Sequence, residues 1–348
     1  EPLLEVLPEG LDEEEIAFAF SFTTQTVEAG WRAVRDGLYG HGVQAHLATD
    51  YPAEVISLEK LQDADRVDEH LLYGEQWGAM LEWLLPEFDG KDPGALLDSL
   101  VESNRYVDYY AIGSFRSPQL FARVDGDGHP LPLNLQSWPP DLDRVAAPAR
   151  AETVYFSLAV PRKEVSARAD GRPAPLVIMG HGYGSNRFDM MKMGSFFARH
   201  GLAVISIDGP SHGLHMTALE EAMAKGGLGK HGFAAAGRAF LLDRATDLTA
   251  DGVDDSGADF WTNRLFHTRD VVRQFALDYM QLVRLLRQFD GQRLWGQDVD
   301  GDGAGDLAGD FDGDGAVDVG GEAPLYAFGG SLGGIMSMLL GELEPEID

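Results

Sequence analysis

The run Gly329-Gly330-Ser331-Leu332-Gly333 has the spacing G-x-S-x-G, with an apolar stretch before it at 325–328 and another after it at 335–343. Read as a strand entering a helix through a sharp turn, this spacing puts a serine hydroxyl on strained backbone. The residues two positions away on each side must then lack a Cβ so that strand and helix can pass closely. The helix N-terminus faces the oxygen that reacts there. Ser331 is therefore the candidate nucleophile. In a chain with 42 glycines the same string also arises as an ordinary turn, so its surroundings have to decide.

A second constellation lies just upstream. Residues 296–322 hold eight Asp, one Glu and no Lys or Arg. Asp298, Asp300, Asp302 and Asp306 recur as Asp310, Asp312, Asp314 and Asp318, each repeat reading D-x-D-G-D-G-x-x-D with Gly303 or Gly315 at the sharp turn. Carboxylates this crowded repel one another unless a hard divalent cation gathers them, and calcium accepts about six to eight oxygens in flexible geometry. Structural calcium is the expected cofactor, folding the insertion and steadying the strand that leads to Ser331. The position of an EF-hand's bidentate glutamate is occupied by Gly309 and Gly321, so these are not EF-hands; they resemble the shorter calcium loops of secreted repeat modules. Asp247, Thr249, Asp251 and Asp255 form a degenerate third copy, and Asp125 with Asp127 a weaker hint. The competing reading is a solvated acidic linker. Loops of this kind work near millimolar calcium, which places the protein outside the cytoplasm, extracellular or on a cell surface.

The elements that must position these residues read as an α/β core. Residues 174–180 and 202–208 are short continuous apolar runs with a helical segment, 188–200, between them, the pattern of a parallel sheet covered on both faces. A long amphipathic helix is expected over 263–289, with Val272, Phe275, Ala276, Tyr279, Val283 and Leu286 on one face, and a third strand at 325–329. Strand signals also fall at 106–115 and 152–160. Residues 16–24 alternate as a half-buried strand, the remnant of a β-domain, and 27–103 read mostly as helix. The expected division is an N-terminal accessory region, 1–104, and a core, 105–348, with a lid-like insertion at 210–261 and the aspartate insertion at 296–322.

With 27 Lys plus Arg against 57 Asp plus Glu, the net charge of −30 repels phosphate backbones, so no nucleic-acid partner is expected. No run approaches the roughly 20 apolar residues of a transmembrane span. The absence of cysteine removes disulfides, thiolate nucleophiles and cysteine metal sites.

The strand end Gly180-His181-Gly182-Tyr183-Gly184, the run Asp208-Gly209-Pro210-Ser211-His212-Gly213 and the turn at Ser331 together resemble the α/β-hydrolase superfamily. The segment Phe20-Ser21-Phe22-Thr23-Thr24-Gln25 adds a narrower resemblance to bacterial extracellular lipases and esterases with an N-terminal β-domain. The resemblance implies a doubly covered, mostly parallel sheet. It also implies an oxyanion site made by the backbone N–H groups of Leu332 and of Tyr183 or Gly182, and an ester substrate cleaved through an acyl-serine. In that family the acid and the histidine follow the nucleophile, yet all ten histidines precede Ser331. His181, His212, His215 and His267 read as structural, and the fold as incomplete at its C-terminus. The triad is expected to be completed by a C-terminal segment of the same protein on a separate or missing chain. The alternatives are a calcium-stabilised surface or adhesion module with a degenerate hydrolase core, and a serine peptidase.

Overall fold

A computed structural model describes residues 28–89, 94–121, 123, 125–127, 129, 131–214, 216–249 and 251–348. The chain runs α1 (Ala29–Leu38), α2 (His46–Asp50), β1 (Val55–Leu58), β2 (Leu71–Tyr73), α3 (Gly74–Asp89), α4 (Gly94–Asn104), β3 (Val107–Gln119) and β4 (Arg150–Pro161). It continues through β5 (Leu176–Gly180), α5 (Asp189–Ala198), β6 (Ala203–Ile207), α6 (Ala218–Lys230), α7 (Ala234–Phe240), α8 (Leu265–Leu286), β7 (Leu325–Gly329) and α9 (Leu332–Leu343). The alternating segment at 16–24 and His215 lie outside the described residues.

The strands form one mixed sheet in the order β1-β3-β4-β6-β5-β7, with β2 also paired to β3. The parallel pairing expected from the apolar runs holds for β6, β5 and β7, whereas β1, β2, β3 and β4 pair antiparallel and β4 meets β6 antiparallel. Four of the six pairings are thus antiparallel, so the sheet is mixed and not the mostly parallel one expected, because the strands before β5 join as antiparallel neighbours. The apolar runs of β5 and β6 have their cause in burial on both faces: Leu176, Ile178, Ala203, Ile205 and Ile207 join a core cluster with α8 and α9, while Val177, Met179 and Val204 join a second cluster with α5 and α7. The expected division at 104/105 is crossed by the sheet, because β1 and β2 from the near side hydrogen-bond to β3. Val34 and Leu38 of α1 bury in the same core cluster as Phe275 and Tyr279 of α8.

Helix α8 buries far more than the predicted stripe. Val272 is only partly buried, and four polar residues, Asp270, Gln274, Asp278 and Gln281, lie inside. Each finds partners from distant segments. Asp278 accepts from Ser117 Oγ (2.6 Å) and Arg244 (2.6 Å), Asp270 accepts the Trp138 N–H (2.9 Å), and Gln274 accepts the Leu120 N–H (3.0 Å). Hydrogen bonds of this kind are what make a buried polar helix face tolerable.

The outer edge of β7 carries no further strand among the described residues. Asp348 meets it at one point, its N–H donating to the Leu325 carbonyl (2.8 Å) and its carboxylate accepting the Leu325 N–H (3.0 Å). Tyr326 and Phe328 are 38% and 41% exposed there.

Candidate functional site

β7 delivers the chain to Gly330 and Ser331, and α9 begins at Leu332. Ser331 sits at φ 54°, ψ −120°, a region that costs a side-chain-bearing residue about 1–3 kcal/mol. What holds it there is backbone on backbone. A Cβ on Gly329 or on Gly333 would run into main-chain atoms, Gly333 for the first and the Gly180 carbonyl for the second. The two flanking glycines of the motif and the last residue of β5 therefore form one contact. Leu332 is buried and anchors the helix start, while Ser331 is exposed and its hydroxyl makes no capping bond to the helix. The Leu332 N–H belongs to the first turn of α9, where amides lack intrahelical acceptors.

Gly180 pairs in register with Gly329, so the turn after β5 leaves the sheet beside the serine turn. His181 opens it, buried. Its Nδ1 donates to the Gly182 carbonyl (2.9 Å) and its Nε2 accepts the Gly209 N–H (2.9 Å), which fixes a neutral ring bridging the turns after β5 and β6. Burial holds its pKa below the ordinary value. Below this bridge, Asp208 accepts the Arg187 N–H (2.7 Å) and pairs with the Arg187 guanidinium, both residues fully buried. Gly182 is half-buried and Tyr183 exposed, its ring 6.4 Å from that of Trp261 in the 210–261 insertion. Ser331 and Leu332 thus follow β7, and Gly182 and Tyr183 follow β5, at the C-terminal ends of two paired strands.

The other histidines do not reach Ser331 by any hydrogen bond among the described residues. His212 donates from Nδ1 to the Pro210 carbonyl (2.9 Å), and burial, with His181 beside it, pushes its pKa down to about 4. His267, at the start of α8, lies buried with Nε2 3.5 Å from Asp259 Oδ2. Burial works to raise the Asp259 carboxyl, but His267 and the Arg123 charge outweigh it and hold its pKa below the usual range. Ser211, at φ 61°, accepts from Arg123 in the same buried cluster. Ser211 lies in the run Gly209-Pro210-Ser211-His212-Gly213, which has the same G-x-S-x-G spacing as the Ser331 turn, whereas Arg123 and Asp259 come from separate segments with no sequence signal.

The aspartate repeats fold as copies. Asp298 accepts the N–H groups of Gly301 (2.8 Å) and Gly303 (3.0 Å), as Asp310 accepts those of Gly313 (2.8 Å) and Gly315 (2.8 Å). Asp302 accepts from Ala304 and Asp314 from Ala316; Asp306 accepts from Val299 and Asp318 from Phe311. The segment 247–255 repeats the scheme, with Gly252 on Asp247, Val253 on Asp251, and Leu248 and Thr249 on Asp255. In two groups, Asp298, Asp300, Asp302 and Asp310, Asp312, Asp318, one oxygen per residue lies within 4.8 Å of the others, as do ligand atoms of Asp125, Asp127 and His129. The repeats differ in what surrounds them. Asp318 is buried, accepts the Tyr109 hydroxyl (2.6 Å) and pairs with Arg168 (2.5 Å). Burial pushes its carboxyl up to about 7, with the Arg168 charge pulling against it. Arg168 and Lys163, the cations at the second repeat, were not foreseen from the sequence.

No protein-family model matches the sequence, and no curated protein matches it. Among solved structures, a PEG-bound complex of a cold-adapted esterase from an Arctic intertidal metagenomic library is similar at 14% identity and a TM-score of 0.28. The match covers 68% of this chain and 58% of that one, so the chain spans less than two thirds of that protein's length.

Proposed function

We propose that this chain is the core of a serine hydrolase that cleaves carboxylic esters, with the α/β-hydrolase arrangement of strands. The observation that carries this reading is Ser331 itself, a serine at φ 54° on a strand-to-helix turn, exposed and with its hydroxyl not spent on capping, locked by the contact of Gly180, Gly329 and Gly333. Strain of this kind clusters at functional sites. In the proposed step Ser331 Oγ attacks the ester carbonyl carbon while a base takes its proton. The developing oxyanion accepts from the N–H of Leu332 and from that of Tyr183 or Gly182, the alcohol leaves with the proton, and water then hydrolyses the acyl-Ser331.

The base and its acid we assign to a segment beyond Asp348, because among the described residues no histidine hydrogen-bonds to Ser331: His181 and His212 are held by main-chain groups, and His267 lies buried beside Asp259. The open edge of β7, with Tyr326 and Phe328 exposed, offers such a segment a place to pair.

We further propose structural calcium in the aspartate insertion, at its first loop, and, with it, a secreted or surface location. The donor set fits: hard carboxylate oxygens of Asp298, Asp300 and Asp302, all exposed, within ligand distance of one another. The ion would neutralise that loop and take no part in the chemical steps.

The test is fluorophosphonate labelling of the natural protein with peptide mapping, beside ester turnover. Label on Ser331 and turnover, both lost in Ser331→Ala, are expected. An intact protein that takes no label at Ser331 would overturn the reading and favour a surface module with a degenerate core.

A further inference from the structure

The carboxylate oxygens that the backbone leaves over meet different fates in the two repeats. In the second, Asp310 spends both oxygens on main-chain N–H groups, and Asp312, Asp314 and Asp318 each keep one oxygen back. All three leftovers are taken by cations of the protein. Arg168 reaches Asp312 Oδ2 (2.7 Å) and Asp318 Oδ1 (2.5 Å), and Lys163 pairs with Asp314 Oδ2 and lies 3.6 Å from Asp312 Oδ2. The Arg168 side chain is 2% exposed, and its other nitrogen is fixed by Asp108 (2.8 Å) and the Pro161 carbonyl (2.9 Å), so the guanidinium is built into the sheet. The corresponding oxygens in the first repeat, on Asp300, Asp302 and Asp306, meet no cation among the described residues.

We infer that Arg168 and Lys163 take the place of the divalent cation in the second repeat, so that residues 310–318 are a metal-independent clamp and metal binding in this insertion belongs to residues 298–306. Two side-chain charges neutralise the same carboxylates that an ion would gather, and they do so at any calcium level. The anchoring follows the same division. The second repeat places Phe311 against Phe156 and Trp295, and the Ala174 N–H at the entry to β5 donates to the Asp318 carbonyl (2.8 Å). The first repeat leaves Asp298, Asp300 and Asp302 in solvent. The inference rests on the calcium reading only for the behaviour of the first repeat.

Hydrogen–deuterium exchange on the full chain, with 2 mM calcium and with excess chelator, reads both loops at once, and terbium titration counts ions. On chelation the backbone of 298–306 is expected to lose protection by tenfold or more, while that of 310–318 keeps it. Asp300→Asn should lower bound terbium by one ion per chain and Asp312→Asn should leave the count unchanged. Equal loss of protection in both loops, or loss of one terbium in Asp312→Asn, would overturn the inference. Protection of both loops without metal, with no terbium bound, would sink the calcium reading of the first repeat while leaving the clamp in the second supported.

Discussion

The turn at Ser331 and the aspartate insertion that precedes it both hold irregular backbone still, and they do so by opposite means. At the turn the chain is fixed by side chains that are missing: Gly180, Gly329 and Gly333 bring main chain against main chain, and the histidine beside them is kept neutral. In the insertion each bend is tied by a carboxylate to the amides of its own loop, and the accumulated charge then needs compensation. The difference teaches where each region is vulnerable. The first fails when volume or charge is added, the second when charge is left unbalanced.

The largest expected effect tests the charged side. Arg168→Ala leaves Asp312 and Asp318 without their guanidinium in a site from which water is largely excluded, and removing one partner of a buried pair typically costs about 3–5 kcal/mol. Urea unfolding measures it, and a loss below about 1 kcal/mol would break the comparison by showing that packing alone carries the second repeat.

Gly333→Ala tests the other side. Its Cβ would meet the Gly180 carbonyl, main chain that can yield only if β5 or α9 moves. Overpacking of this sort costs on the order of 3 kcal/mol, and the serine turn should relax with it, so fluorophosphonate labelling of Ser331 should fall along with stability. Unchanged labelling would mean that the glycine contact does not hold the serine.

A smaller effect sharpens the contrast with acid. His212 is pushed down to about 4 in the fold, against about 6.5 in an unfolded chain. Its contribution is complete above the unfolded value and is lost as pH falls from about 6.5 towards 4, because the unfolded chain takes the proton first. Between pH 7.5 and 4.5 the wild-type protein should therefore lose about 2 kcal/mol more than His212→Gln, read as the difference of urea-unfolding free energies. Parallel pH profiles in the two proteins would contradict a neutral, buried His212.

The parts of this molecule legible in its sequence are those whose cause is local. Glycines two residues either side of Ser331 announce a turn without Cβ atoms, and the structure closes that turn against Gly180. The aspartate spacing announces a repeat, and all three copies bond their own backbone in one pattern, even 247–255, where Thr249 replaces an aspartate. Continuous apolar runs located β5 and β6, since burial on both faces erases alternation. Periodicity gave only one apolar face of α8, because nothing in one helix reveals that Ser117, Trp138 and Arg244 arrive to satisfy its buried polar residues.

What the sequence by itself determined, then, is short-range: the serine turn, the carboxylate loops, the buried strands and a charge that repels nucleic acid. Which charges are balanced, and by what, only the tertiary structure decided. The two aspartate repeats are nearly identical as strings, and they part company because Arg168 arrives at Asp312 from 144 residues away and at Asp300 no cation of the described chain does. Local backbone bonding depends on neighbours a few residues apart, whereas Coulomb compensation depends on distance in space, which the order of residues along the chain does not contain.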